Sequence, residues 1–396
     1  MQILLFSSLY PNSSNPQHGI FVEQRLKKLL EFAGDIKVVV ISPVPLNLIG
    51  GCKKNRYKKI VQHEIYNDVE VFRPIFFTLP IIGRYINPIS MFLTSINLLR
   101  RIKSSIDKPD LIDAHYYFPD GIAALLLGKI IKAPVVITAR GSDINYFPKY
   151  FTARRYIQWA IQQSAATITV SNALRNRVLE VGGPACKVTT LHNGVDLNIF
   201  DIKDKISAKE KIHINSKLLL TVGNLVKEKR HNLIIMALCY LPEYTLAVVG
   251  EGPLENSLKL TAIKHNVQDR VIFLGRKSQQ ELVEYYNAAD CSVLASSREG
   301  LPNVLLESLA CGTPLVASQI GGVPEIMQSE VAGYMFSGED PKTIAALVMK
   351  IDGKKINRQA VRALSEYFSW DNASQGQYKI FKRVIGRYYA NKHNNV

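Results

Sequence analysis

SSREGLPNVLLESLACGTPLVASQIGG, residues 296–322, carries the clearest structural punctuation in the chain. The apolar run 291–295 precedes it and a second run, 315–318, lies within it; both are of strand type. Between them Pro302 suits a first helical turn, Gly312 the left-handed residue past the last turn, and Pro314 prevents a restart. The spacing predicts a strand, loop, helix, strand unit. In such a unit the loop at the carboxyl end of the first strand faces the ligand crevice of an open parallel sheet. Glu299, Gly300 and Leu301 fall in that loop. The helix start offers unpaired amides near Asn303 and Val304 and the positive end of its dipole, which favour a phosphate. Glu307, one to two turns in, can accept from neutral hydroxyls. One carboxylate ahead of an anion site and one behind it fit a ligand with hydroxyls on both sides of a phosphate, the shape of a nucleotide sugar. An ordinary surface helix with two solvated glutamates is the competing reading of the same spacing.

The 396 residues exceed the usual single-domain size, and an apolar fraction of 47% is globular. No run approaches the 18 or so apolar residues needed to span a bilayer. The start, MQILLFSSLYP, carries no charged leader and reads as a first strand, so a cytoplasmic protein is expected. Cys52, Cys186, Cys239, Cys291 and Cys311 are scattered and odd in number, without metal-ligand spacing. They are expected to be reduced and mostly buried, with neither disulfides nor a metal site. Residues 1–200 carry 24 Lys+Arg against 13 Asp+Glu, and the remainder 25 against 20. The basic excess thus lies mainly in the first half. It is compatible with nucleic acid, an anionic membrane surface, phosphorylated substrates, or solubility alone.

Taken in order, residues 2–6 read as a buried strand and 21–33 as a helix, with Gly19 in the loop before it, either admitting a ligand or serving a plain turn. Residues 37–42 form a strand, followed by an irregular basic stretch, 50–59. Segment 75–106 mixes apolar and aromatic residues with Arg84, Arg100, Arg101 and Lys103 and has no acid. It reads either as an amphipathic segment on anionic lipid or as a buried helix between strands. Strands at 111–115 and 134–138 end in His115 and in Arg140, Gly141, Ser142 and Asp143, all at the edge where open sheets bind ligands. A polar stretch, 197–211, is the expected connection between domains. The strand and helix pattern then restarts at 217. Gly250, Gly252 and Gly275 each come at or just after a strand end, as close phosphate contacts require. The expected architecture is therefore α/β, two doubly wound Rossmann-like domains facing across a cleft: 1–200, 201–370, and a closing helix at 371–396. There is no G-x-x-x-x-G-K-[ST] and no Asp-x-Asp pair, so Lys, Arg and helix amides must meet any diphosphate charge.

Glu299 and Glu307, seven residues intervening, within SREGLPNVLLESLACGTPLVAS and followed by GGVPEI, resemble the hallmark of family-four retaining glycosyltransferases of GT-B fold. YPNSSNPQHGIFVEQ, RGSD, HNGVD, VGNLVKEK, VGEGP and FSWDNAS extend the likeness along nearly the whole chain, and members that build bacterial surface polysaccharides are the most similar. The resemblance implies that Glu299 contacts donor-sugar hydroxyls, Glu307 the ribose and Lys229 the diphosphate, that the Gly19 loop approaches the phosphates, and that His115 lies at the sugar face. Arg140 and Asp143 would lie on the acceptor side. Where the family commonly has arginine this chain has Asn224, so Arg230, Arg276 or Arg298 would supply the second cation. The resemblance further implies a UDP- or GDP-linked donor, no metal or other cofactor, a lipid-linked glycan acceptor, and a final helix that crosses back to the first domain; the basic first half, with segment 75–106, leads to the expectation of contact with the inner face of the cytoplasmic membrane. The rival readings are a nucleotide-sugar epimerase, a sugar phosphorylase, and a basic nucleic-acid-binding protein, the last without any recognition motif.

Overall fold

The computed structural model describes residues 1–47, 60–79, 83–102 and 107–393. They form two compact units, Met1–His192 with Asp371–Val396, and Asn193–Trp370.

The first unit is built on β1 (Gln2–Phe6), β2 (Lys37–Ile41), β3 (Val44–Asn47), β4 (His63–Tyr66), β5 (Val69–Phe72), β6 (Ile75–Thr78), β7 (Leu111–His115), β8 (Val135–Ala139), β9 (Ala166–Thr169) and β10 (Val188–Thr190). Eight of them make one sheet in the order β10-β9-β8-β7-β1-β2-β5-β4. All neighbours are parallel except β4 on β5. β7 and β8 are buried along their whole length, as strands covered by helices on both faces must be. β1 lies between β2 and β7, so the strand order reverses there and the carboxyl ends of β1 and β7 flank the switch point where open sheets bind ligands. β4 and β5 form a hairpin turned by Asn67 and Asp68, both left-handed, a turn that the alternation around "YNDV" signals locally. The last helix, Trp370–His393, brings Ile380, Phe381 and Val384 into one core with Ile3, Leu29, Val136 and Ile168.

The second unit holds β11 (Lys217–Val222), β12 (Tyr244–Val249), β13 (Val271–Phe273), β14 (Cys291–Leu294), β15 (Leu315–Ser318) and β16 (Gly333–Phe336). They form an all-parallel sheet in the order β13-β12-β11-β14-β15-β16, with its switch point between β11 and β14. The stretch around residue 299 is β14, a loop, the Asn303–Ala310 helix and β15, with Gly312 left-handed at φ 71°. Pro302 is the residue before that helix rather than within its first turn.

Three expectations are revised. The unit boundary falls at residues 192 and 193, not at 200, because Val195 donates its N–H to the Phe368 carbonyl and Phe200 packs its ring on Tyr286. The polar stretch 197–211 accordingly lies inside the second unit, where Lys205 and Lys209 both reach Asp290. Cys291 and Cys311 are buried, but Cys186 and Cys239 are exposed. In segment 75–106, β6 pairs with β3, and the Gly83–Ile102 helix buries Met91, Ser95, Ile96 and Leu99 while leaving Tyr85, Ile89 and Leu93 exposed at i, i+4, i+8. The basic stretch 50–59, with Cys52, lies outside the described residues.

Candidate active site

In the second unit the loops after β11 and β14, the two strands at the switch point, meet side by side. A 3₁₀ turn at Lys227–Lys229 and a left-handed Arg230 aim the Lys229 side chain at the second loop. Lys229 Nζ donates to Glu299 Oε1 at 2.6 Å, and Ser296 Oγ donates to the same oxygen at 2.7 Å. The pair is partly buried, with Lys229 22% and Glu299 13% exposed. The loops are stitched by Ser297 N–H to the Glu228 carbonyl at 2.7 Å and by Arg298 Nη2 to Glu228 Oε1 at 2.7 Å. The loop after β15 closes on them from the other side. Gly321 is left-handed, and a Cβ there would sit 2.2 Å from the Glu299 carbonyl oxygen. Gly322 N–H donates to Gly300 O at 2.9 Å. Gly250 and Gly252, after β12, lie against the backbone of Gly223 and Leu225 in the first loop.

Glu307 is on the Asn303–Ala310 helix, where burial pushes its carboxyl up to about 7 and a hydrogen bond from Tyr286 Oη to Oε2, at 2.9 Å, counteracts part of the rise. No side chain caps this helix at Pro302, so its first turn offers amide donors to a ligand. Asn303 Oδ1 accepts from Asn193 Nδ2 at 3.0 Å; Val304 is half-buried and Leu301 buried. Among the three arginines considered as the second cation, Arg298 faces Glu228, Arg230 pairs with Glu339 at 2.6 Å, and Arg276 pairs with Glu251 at 3.1 Å. Each therefore already has an acidic partner. Asn224 is exposed and gives its carbonyl to the buried His231 ring.

At the switch point of the first unit, His115 ends β7 with both ring nitrogens engaged. Nε2 lies 3.1 Å from Asp113 Oδ2, and Nδ1 accepts from Arg140 Nε at 3.2 Å. Burial, opposed by Asp113, lowers the His115 pKa to about 4, so the ring is neutral. Arg140 lies with its guanidinium 5.1 Å from the centre of the Phe21 ring. Gly19 precedes the Ile20–Phe32 helix at φ 66°, and a Cβ there would sit 2.3 Å from the Leu9 carbonyl carbon. The first demand on Gly19 is thus contact with its own loop. Asp143, expected on the acceptor side, is instead fully buried and accepts backbone N–H groups of Tyr117, Arg140 and Gly141. It holds the β8 loop and has no free face for an acceptor.

Two families match this chain: "Glycosyl transferases group 1" over residues 202–363 and "Glycosyltransferase Family 4" over residues 51–199. The chain is a group 1 glycosyltransferase of GT-B fold. It is similar to the putative teichuronic acid biosynthesis glycosyltransferase TuaC of Bacillus subtilis, 29% identical over 82% of this chain and 83% of that one. It is also similar to the amylovoran biosynthesis glycosyltransferase AmsK of Erwinia amylovora, 22% identical over 89% and 90%. Among solved structures, sucrose-phosphate synthase from Thermosynechococcus elongatus superposes with a TM-score of 0.81 at 16% identity, covering 98% of this chain and 99% of that one. Anabaena HepE in complex with UDP and glucose gives 0.73 at 18% identity, covering 97% and 100%. At these identities the superpositions speak for the fold.

The glycosyltransferase brings Lys229 and Glu299 together with Gly300, Gly250 and Gly252 through loops distant in sequence. Sequence reasoning missed Ser296, Glu228 and Tyr286 beside them and Asp113 and Gln377 behind His115. Ser296 had a local signal, lying three residues before Glu299, and so had Asp113, two residues before His115 on the same face of β7. Glu228, Tyr286 and Gln377 are set by pairings across more than twenty residues, which no local pattern reports.

Proposed function

We propose that this glycosyltransferase moves a sugar from a nucleotide-linked donor to a lipid-linked glycan, retaining the anomeric configuration and using no metal, in the synthesis of a cell-surface polysaccharide. The observation that carries this is the Lys229–Glu299 contact at the switch point of the second sheet. In transfer, charge grows on the departing diphosphate, and a preorganised cation and amides facing it lower the barrier. Lys229 is that cation, and the uncapped start of the Asn303–Ala310 helix supplies amides. A bound diphosphate replaces Glu299 as the partner of Lys229, which turns Glu299 toward sugar hydroxyls; Glu307 accepts from the ribose. The C1–phosphate bond breaks and the C1–acceptor bond forms on the same face, the acceptor proton passing to the departing phosphate oxygen. The absence of Asp-x-Asp in the sequence supports charge neutralisation without metal. TuaC and AmsK, named for teichuronic acid and amylovoran biosynthesis, support a polysaccharide product, and the UDP and UDP-glucose complexes of HepE make a UDP-sugar the first donor to try.

No helix among the described residues is long and apolar enough to cross a membrane. The reading of the inner membrane face rests on the exposed Tyr85, Ile89 and Leu93 stripe, which leads to exposed Arg100 and Arg101. Protection against thermal unfolding by UDP-, GDP- and dTDP-sugars tests the donor, since a ligand at about 100 times its Kd adds roughly 2.7 kcal/mol. No protection by any of them sinks the donor reading. Loss of turnover in EDTA, or an inverted product anomer by NMR, sinks the metal-free or the retaining part. Failure to float with phosphatidylglycerol vesicles at low salt sinks the membrane part.

A further inference from the structure

We propose that Gln377, on the closing Trp370–His393 helix, is a positioning residue that orients His115 and, through it, Arg140 at the ligand edge of the first sheet. Five side chains run in line. Arg25 Nε donates to Gln377 Oε1 at 2.6 Å, and Gln377 Nε2 donates to Asp113 Oδ2 at 3.0 Å. Asp113 Oδ2 then meets His115 Nε2, and His115 Nδ1 meets Arg140. Arg25, Gln377, Asp113 and His115 are each 1% exposed. The order admits one arrangement of protons. A guanidinium only donates and a carboxylate only accepts, so the Gln377 amide is held one way round. Asp113 takes both of its donors on Oδ2, its Oδ1 having no hydrogen-bond partner among the described residues. His115 must then carry its proton on Nε2, which leaves the Nδ1 lone pair for Arg140. A proton added at Nδ1 would face the guanidinium and break that contact.

The charged groups facing His115 are Asp113 on its own strand, Arg140 from the loop after β8, and Arg25 from the Ile20–Phe32 helix. Gln377 is the uncharged member, contributed by the closing helix. Removing its N–H leaves Asp113 with His115 as its remaining donor, and the less satisfied carboxylate draws a proton onto the imidazole.

The test uses the full chain with ¹⁵N-labelled histidine, following the His115 ring nitrogens with pH in wild type, Q377M, Q377E and D113N/Q377M. We expect wild-type His115 to stay in the neutral Nε2–H form down to about pH 5. Q377M should protonate at least tenfold more readily, Q377E more readily still because it adds a carboxylate, and D113N/Q377M no more readily than wild type. An unchanged tautomer and midpoint in both single variants overturns the proposal; Q377E serves alone if Q377M does not fold. With a nucleotide sugar found by the thermal screen, Q377M should lose kcat on the acid side at unchanged donor KM. This second readout rests on the proposed function. If the ring nitrogens shift and kcat does not, the relay stands and the placement of His115 near the reaction fails.

Discussion

Replacing Lys229 by methionine keeps the length of the side chain and removes its charge. The structure predicts two separable costs. For stability, the substitution strips a 2.6 Å charged hydrogen bond from Glu299, which is 13% exposed and retains Ser296 Oγ. A charged hydrogen bond of this kind contributes about 1.5–3 kcal/mol when buried, and the partial exposure of both groups places the loss at the lower end. For the reaction, losing one preorganised donor to developing charge costs roughly 2.7–4 kcal/mol, which at about 1.4 kcal/mol per decade is a fall of ~10²–10³ in kcat. Steady-state transfer and thermal melts on the same samples separate the two. E299Q adds a control. The double variant K229M/E299Q should recover most of the lost stability, because no carboxylate is left without its cation, and none of the lost rate. A folded K229M whose kcat is within about threefold of wild type refutes the reasoning.

Glu307, with its carboxyl raised to about 7 by burial, should bind the donor ribose more strongly as pH rises through that value, and Y286F, by removing the hydrogen bond that opposes the rise, should move the pH dependence of donor KM upward; a profile unchanged in Y286F contradicts this. G321A should both destabilise the protein by about 1–3 kcal/mol and lower kcat, because its Cβ would sit 2.2 Å from the Glu299 carbonyl oxygen; full activity would show that the Glu299 loop tolerates displacement. Asp120, fully buried, is raised to about 7 by burial against a hydrogen bond from Ser8 N–H. A carboxyl raised on folding contributes stability that is complete below its unfolded value near 4 and is lost as pH climbs toward 7. D120N, which keeps an acceptor for Ser8, should therefore flatten the dependence of Tm on pH across that window.

How much of this was legible beforehand depends on the range of the determining contacts. The unit around Glu299 was readable because its boundaries are written in Pro302, Gly312 and Pro314, whose backbone preferences act within a few residues. The need for Gly321 was not, since what forbids a side chain there is the Glu299 carbonyl, twenty-two residues back and on another loop. Asp143 misled for a related reason. Its place at a strand end was read correctly, but only the fold shows that three backbone N–H groups occupy its carboxylate. Segment 75–106 carried two patterns because the helix within it has two faces, one packed and one apolar yet open.

The first unit is not a contiguous length of chain. Its core includes Ile380, Phe381 and Val384, and the buried Gln377 lies against Arg25 and Asp113. Residues 1–192, though they hold every strand of that sheet, would leave uncovered the apolar face that Ile3, Leu29, Val136 and Ile168 share with the last helix. On the ribosome the half made first is therefore the half finished last: its sheet waits through the synthesis of a whole second unit for its final covering. A premature stop between residue 193 and about residue 377 leaves every strand of the first sheet in place but removes its final covering, and the damage is expressed in misassembly of the amino-terminal half.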